Sequence, residues 1–110
     1  MKKITISEIP LGYSHNKISR RSILKTGDTL SKIESMNEAY LQPSEQVELH
    51  SHASAEEVFV FISGKGEMEV DGQVLEITSG DVLLIQPAEM HLLTNTGKEV
   101  MRFFTFRVGL

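Results

Sequence analysis

The sequence predicts an all-β fold of the sandwich or barrel class. Three observations predict it. Apolar, strand-like runs are short and recur at close spacing between Ile18 and Val108. Turn residues (Gly, Asp, Asn and Ser) separate several of these runs. No segment holds the 3.6-residue apolar period of an amphipathic helix for long enough to compete.

Taken in order, the first strand is expected over Ile18–Leu24, ending at the turn Thr26-Gly27-Asp28. Lys17, Arg20, Arg21 and Lys25 make a loose basic cluster around it. That cluster reads as a solvated face, the default for Lys and Arg, with an anionic-ligand site as the alternative. Strands then follow over Met36–Gln42, Val47–His52 and Glu57–Ser63. The last contains the longest unbroken apolar run, Val58–Ile62. Ser63-Gly64-Lys65-Gly66 leads into Glu67–Val70, and Asp71-Gly72 separates that strand from Gln73–Ile77. Asp-Gly suits a two-residue type I′ turn, which would pair Val70 with Gln73, Glu69 with Val74, Met68 with Leu75 and Glu67 with Glu76. Met68, Val70, Leu75 and Ile77 then share one face, and Glu67, Glu69 and Glu76 the other, with Val74 as the exception. Ser79-Gly80-Asp81 opens a strand over Asp81–Ile85, and Gln86-Pro87-Ala88-Glu89 precedes His91–Thr94. Asn95-Thr96-Gly97 precedes the final strand, Val100–Val108.

A chain of 110 residues is expected to be one domain, 1–110, long enough to bury a core. Its net charge of −4 argues against phosphate-backbone binding, so no nucleic-acid partner is expected. There are no cysteines, which excludes disulfides and thiolate chemistry and suits a reducing cytoplasm. The opening MKKITISEIP has lysines but no apolar run behind them, so no signal peptide is expected. No run approaches the roughly 18–20 apolar residues of a membrane helix, and no membrane partner is expected.

The candidate chemistry lies in His50-Ser51-His52, followed by Glu57 and, beyond three further strands, by His91. Residues i and i+2 of a strand share a face, so both imidazoles of the pair would project the same way. Alternation puts Glu57 on the face of Phe59 and Phe61, leaving Glu56 outward. Neutral imidazoles with one carboxylate suit a divalent metal ion such as Fe, Mn, Ni, Co, Cu or Zn. Four such ligands leave an octahedral ion two open positions but close a tetrahedral zinc site. His15, in a polar stretch without a ligand partner, reads as an ordinary surface histidine.

At these residues the chain resembles the cupin family of small β-barrels. The family's first motif runs Gly, five residues, His-x-His, three or four residues, Glu, six residues, Gly. Here the positions hold Ser44, His50 and His52, Glu57 and Gly64. The second runs Gly, five residues, Pro-x-Gly, two residues, His, three residues, Asn. Here they hold Gly80, then Gln86 and Ala88 at the Pro and Gly positions, then His91 and Asn95. The motifs span residues 44–95, about half the chain, with 1–35 as a leading segment. Ser44, Gln86 and Ala88 depart from the pattern at turn positions; Pro87 sits beside the expected proline. Ala88 lacks glycine's access to positive φ, which puts the detailed loop geometry in question.

The resemblance implies a cupin-type double-stranded β-helix, a jelly-roll barrel, with His50, His52, Glu57 and His91 as metal ligands. It implies a small oxygen-rich ligand (a carboxylate, enolate or sugar-like molecule) and a reaction of the dioxygenase, isomerase or decarboxylase kind. A non-catalytic binding or sensing module, and a structural barrel with a vestigial site, are the alternatives. No catalytic residue and no organic cofactor is assigned. Asn95 reads as a turn or structural residue. Phe59, Phe61 and Leu93 are read as cavity lining or core, and Glu89 and Met90 as a surface loop before His91. The resemblance also implies a homodimer, for which the segment before Met36 and the tail Phe103–Phe106 offer contact surface.

Overall fold

The computed structural model describes residues 1–14 and 18–110; the expectations for His15 and Lys17 lie outside them. A single 3₁₀ turn over Ile6–Glu8 precedes ten strands. These are β1 (Gly12–Ser14), β2 (Ile18–Lys25), β3 (Ile33–Leu41), β4 (Gln46–His50), β5 (Ala55–Ser63), β6 (Lys65–Val70), β7 (Gln73–Thr78), β8 (Val82–Ile85), β9 (His91–Thr94) and β10 (Met101–Gly109). The expected strands are all present, with ends moved by up to three residues, and β1 is an addition.

Two antiparallel sheets face one another. One has the order β1-β2-β3-β10-β5-β8 and the other β4-β9-β6-β7. From β3 onward the chain passes back and forth between the sheets, the wiring of a jelly roll. The sharpest crossing is between β5 and β6, where Gly64 alone makes the turn at φ +84°. A Cβ there would sit 2.8 Å from the Met101 Cα, so the position needs glycine for space as well as for conformation.

The hairpin β6–β7 has the register that its Asp-Gly turn predicts: Val70 opposite Gln73, Glu69 opposite Val74, Met68 opposite Leu75. Asp71 and Gly72 both have positive φ, as a type I′ turn requires. Met68 and Ile77 are buried from this face, and Val74 is exposed on the other.

The core forms where the two inner faces meet. Along β5, burial alternates strictly from Ala55 to Phe61, so Glu57 shares the inward face with Phe59 and Phe61. Phe59, Phe61 and Phe103 pack with ring centroids 5.8–6.0 Å apart, within the range of favourable aromatic pairs. Leu41, Met68, Leu93 and Met101 complete the dry centre. Leu93 therefore belongs to the core.

The outward face of the larger sheet carries a buried charge. Glu38 is 2% exposed and receives hydrogen bonds from Arg21 (2.8 Å) and Arg102 (2.6 and 2.9 Å). Arg21 also donates to the Ile9 carbonyl, tying the leading segment to β2. The basic cluster is thus not one solvated face. Strand alternation divides it, with Arg21 joining Glu38 on the outer side and Arg20 facing inward.

Candidate metal centre

The four candidate ligands arrive from three strands and one loop. His91 opens β9 and is 1% exposed. Its register partner across the smaller sheet is His50, at the end of β4. Glu57 comes from β5 in the opposite sheet. His52 lies past the end of β4, in the connection to β5, rather than on the strand as expected.

A shift in the β4–β9 register between Val47 and His50 explains how His50 points inward. Strict alternation from buried Val47 would turn Leu49 in and His50 out. Instead Leu49 is 52% exposed, and His50 pairs with His91. A bulge re-aims the strand in just this way.

The four ligand atoms all lie within 4.8 Å of one another. Glu57 Oε1 is 3.2 Å from His91 Nε2 and 3.4 Å from His52 Nε2. The ring of His50 stands 4.2 Å from that of His91 and 5.0 Å from that of His52. Backbone carbonyls orient two of the rings. His50 Nδ1 donates to the Glu48 carbonyl at 2.6 Å, and His91 Nδ1 donates to the Glu89 carbonyl at 3.0 Å. In each case the Nε2 is turned toward the cluster, the usual support of a metal-binding histidine. His52 Nε2 is buried and has no hydrogen-bond partner among the described residues. A buried, unsatisfied imidazole nitrogen is costly unless something else meets it. The donor set, the spacing and this orphaned atom together fit a divalent ion.

In the protein itself the charges settle by burial and pairing. Burial works against a charged His52 and holds its pKa below the ordinary 6.5, although Glu57 pulls the other way. For His91 burial also works downward, but the hydrogen bonds to Glu57 and to the Glu89 carbonyl prevail and its pKa is raised. Burial pushes the Glu57 carboxyl up, yet His91 and His52 bring it below its ordinary 4.5. Both nitrogens of His91 face acceptors, so the protonated ring satisfies both. A metal ion would have to displace that proton.

The cluster opens onto a cavity of about 240 Å³ between the sheets. Ile18, Ala39, Val47, Phe59 and Phe103 supply its apolar wall. Its polar lining includes Asn37 and Thr105, hydrogen-bonded to each other at 3.3 Å, and Arg107, which donates to Glu34 at 3.0 Å. Arg20 and Lys25 also face it. Sequence reasoning did not identify Arg20 or Arg107 as lining residues. The signal was present in alternation: Arg107 shares parity with Phe103 and Thr105, and Arg20 with Ile18. Glu89 and Met90 do not line the cavity, although the Glu89 carbonyl orients His91.

Two departures from the cupin motifs meet the backbone where it is least forgiving. Ser44 has φ +72° and Ala88 φ +68°, so both adopt the left-handed conformation that glycine holds without penalty. Asn95 is 1% exposed, donates to the Leu41 and Glu99 carbonyls at 2.8 Å each, and accepts from the Gly97 amide. It knots the turn before β10 and does not touch the four ligands.

Comparison with known proteins agrees with this architecture. The family model described as the cupin domain matches residues 37–107. The chain belongs to the cupin family. A predicted oxalate decarboxylase of Thermotoga maritima superimposes with a TM-score of 0.93 over 99% of this chain and all of its own, at 23% identity. The polyketide cyclase RemF of Streptomyces resistomycificus superimposes with a TM-score of 0.80 over 98% of this chain and 79% of its own, at 17% identity. At these identities the likeness is one of fold. In sequence, the uncharacterized protein MJ1618 of Methanocaldococcus jannaschii is 31% identical over 64 residues, 58% of this cupin. The match spans about half (51%) of that relative's length.

Proposed function

We propose that His50, His52, Glu57 and His91 hold one divalent metal ion, and that this cupin binds a small oxygen-rich acid beside it and converts it. The observation that carries the reading is the convergence of four ligand atoms within 4.8 Å, one of them a buried imidazole nitrogen with no hydrogen-bond partner among the described residues. When bound, the ion would act as a Lewis acid on a carboxylate, carbonyl or enolate oxygen.

The chain's own residues supply the rest. The Glu48 and Glu89 carbonyls fix the rings of His50 and His91. Phe59 stands edge-on to His91 at 6.0 Å and, with Val47 and Phe103, gives the cavity an apolar flank. A cavity of about 240 Å³ suits a small acid. The Thermotoga maritima neighbour, a predicted oxalate decarboxylase, places decarboxylation of a small acid among the reactions to assay first. Isomerase and dioxygenase chemistry come next.

We also propose a homodimer. Ile62, Val82 and Leu84 are exposed on the outer face of β5 and β8, beside half-buried Val58, Val60, Phe104 and Phe106. A contiguous apolar patch of this kind marks an interaction surface. Light scattering at micromolar concentration should give twice the 12.3 kDa chain mass; a monomer mass would refute the pairing.

The direct test of function is turnover of small carboxylic acids by protein reconstituted with Mn, Fe, Co, Ni, Cu or Zn. Product formation that disappears in His91→Ala supports an enzyme. Saturable, metal-dependent binding without turnover by any metal form would make it a binding module.

A further inference from the structure

We infer that Arg20 selects the ligand, by receiving an anionic group at the end of the cavity away from the four-residue cluster. The preferred ligand is then a small acid with chelating oxygens at one end and a carboxylate at the other. This rests on the metal reading above and adds the substrate class.

The register fixes where Arg20 stands. Across the larger sheet Glu57 aligns with Arg107, then Ser35, then Lys25. Arg20 belongs to a different row, with Ala39, Phe103 and Phe61. The two rows are four residues apart along β5, or about 13 Å at roughly 3.3 Å per residue. Between them lies the row of Phe59, Thr105, Asn37 and Ser22. A ligand reaching from the cluster toward Arg20 therefore crosses an apolar ring and an already satisfied Asn37–Thr105 pair. Its ends are where polar recognition is available. Opposite Arg20, Ala39 is small and leaves the guanidinium room within the cavity.

The charge pattern singles out Arg20. The cavity wall has three cations, Arg20, Lys25 and Arg107, against two carboxylates, Glu34 and Glu57. This is a cationic wall in a chain of net charge −4. Arg107 is taken by Glu34 at 3.0 Å, and Lys25 lies 3.7 Å from Asp28. Arg21, its neighbour, is taken by Glu38 on the other face. The Arg20 side chain has no hydrogen bond or ion pair to any described residue, yet it is half-buried on the wall of the cavity. A guanidinium in such a place is matched in shape and charge to a carboxylate, which it can bind with two parallel hydrogen bonds.

The test uses the metal-loaded protein and matched acids that share a chelating head. α-Hydroxyglutarate is compared with α-hydroxyvalerate, and α-hydroxyadipate with α-hydroxycaproate, by isothermal titration calorimetry. Wild type should prefer the diacid by about tenfold or more in at least one pair, the worth of a charge-assisted hydrogen bond. Arg20→Gln should abolish the preference while taking up metal as wild type does, and Arg20→Lys should keep part of it. Equal binding of both members of both pairs by wild type, or a preference that survives in Arg20→Gln, overturns the assignment to Arg20. If wild type takes up no metal, it is the metal reading that fails. Glutarate against valerate on the metal-free protein then decides Arg20 separately, a diacid preference lost in Arg20→Gln upholding it and equal binding overturning it.

Discussion

The Ala88 amide donates to the His52 carbonyl at 2.7 Å, and Ala88 makes that bond from the left-handed region, at φ +68°. One residue of the second cupin motif thereby ties down a candidate ligand of the first. The contact is kept although its donor lacks the residue type that the conformation favours.

Relieving that conformation should stabilise the fold. A left-handed non-glycine residue costs roughly 1–2 kcal/mol, and glycine gives part of this back through the unfolded chain. Ala88→Gly and Ser44→Gly should each raise stability by up to about 1 kcal/mol. Urea unfolding should show a higher midpoint at unchanged slope. A lower midpoint would mean that the side chain, and not the backbone, dominates at these positions.

Asn95 should prove structural. Asn95→Ala leaves the buried Leu41 carbonyl without its 2.8 Å donor and frees the Gly97 turn. The loss should be about 2–4 kcal/mol, the sum of an unsatisfied buried group and its companion bonds. Metal content of the folded fraction should stay at the wild-type level; its collapse would place Asn95 in the site.

Acid should unpick the outer face through Glu38. Burial alone would raise its carboxyl, but hydrogen bonds from Arg102, Arg21 and Tyr40 outweigh it and hold the pKa below the ordinary 4.5. A carboxyl whose pKa is lower when folded adds stability that is fully present above the unfolded value. That stability is lost as pH falls through the folded value. Glu38→Gln should therefore cost about 1.5–3 kcal/mol at neutral pH. The gap from wild type should narrow steadily as pH drops below 4.5. A gap that is constant down to strongly acidic pH would contradict the ionic role.

Much of this was legible before the fold was known. The Asp71-Gly72 hairpin declares its register because the turn type and the apolar pattern agree, and the candidate ligands stand out in sequence because each holds its place within a motif. What was not legible depends on tertiary pairing. The bulge that turns His50 inward shows only against His91 on the neighbouring strand. His52 belongs to a loop because β4 ends at His50, which no local propensity announces. Arg20 and Arg21 look alike as neighbours in a basic run. Alternation puts them on opposite faces of β2, but only the pairing with β3 shows which face meets the cavity and which meets Glu38.

The central claim is that four side chains form one metal centre, and metal stoichiometry tests it most directly. Wild type and the four single variants His50→Ala, His52→Ala, Glu57→Ala and His91→Ala are to be reconstituted, desalted and measured by inductively coupled plasma mass spectrometry. Circular dichroism should confirm that each is folded. The account predicts close to one divalent ion per wild-type chain, with affinity falling by about tenfold or more in each variant, at least as much as the loss of a supporting residue costs elsewhere. A wild-type chain that retains no ion, or variants that hold it as tightly as wild type, would contradict it.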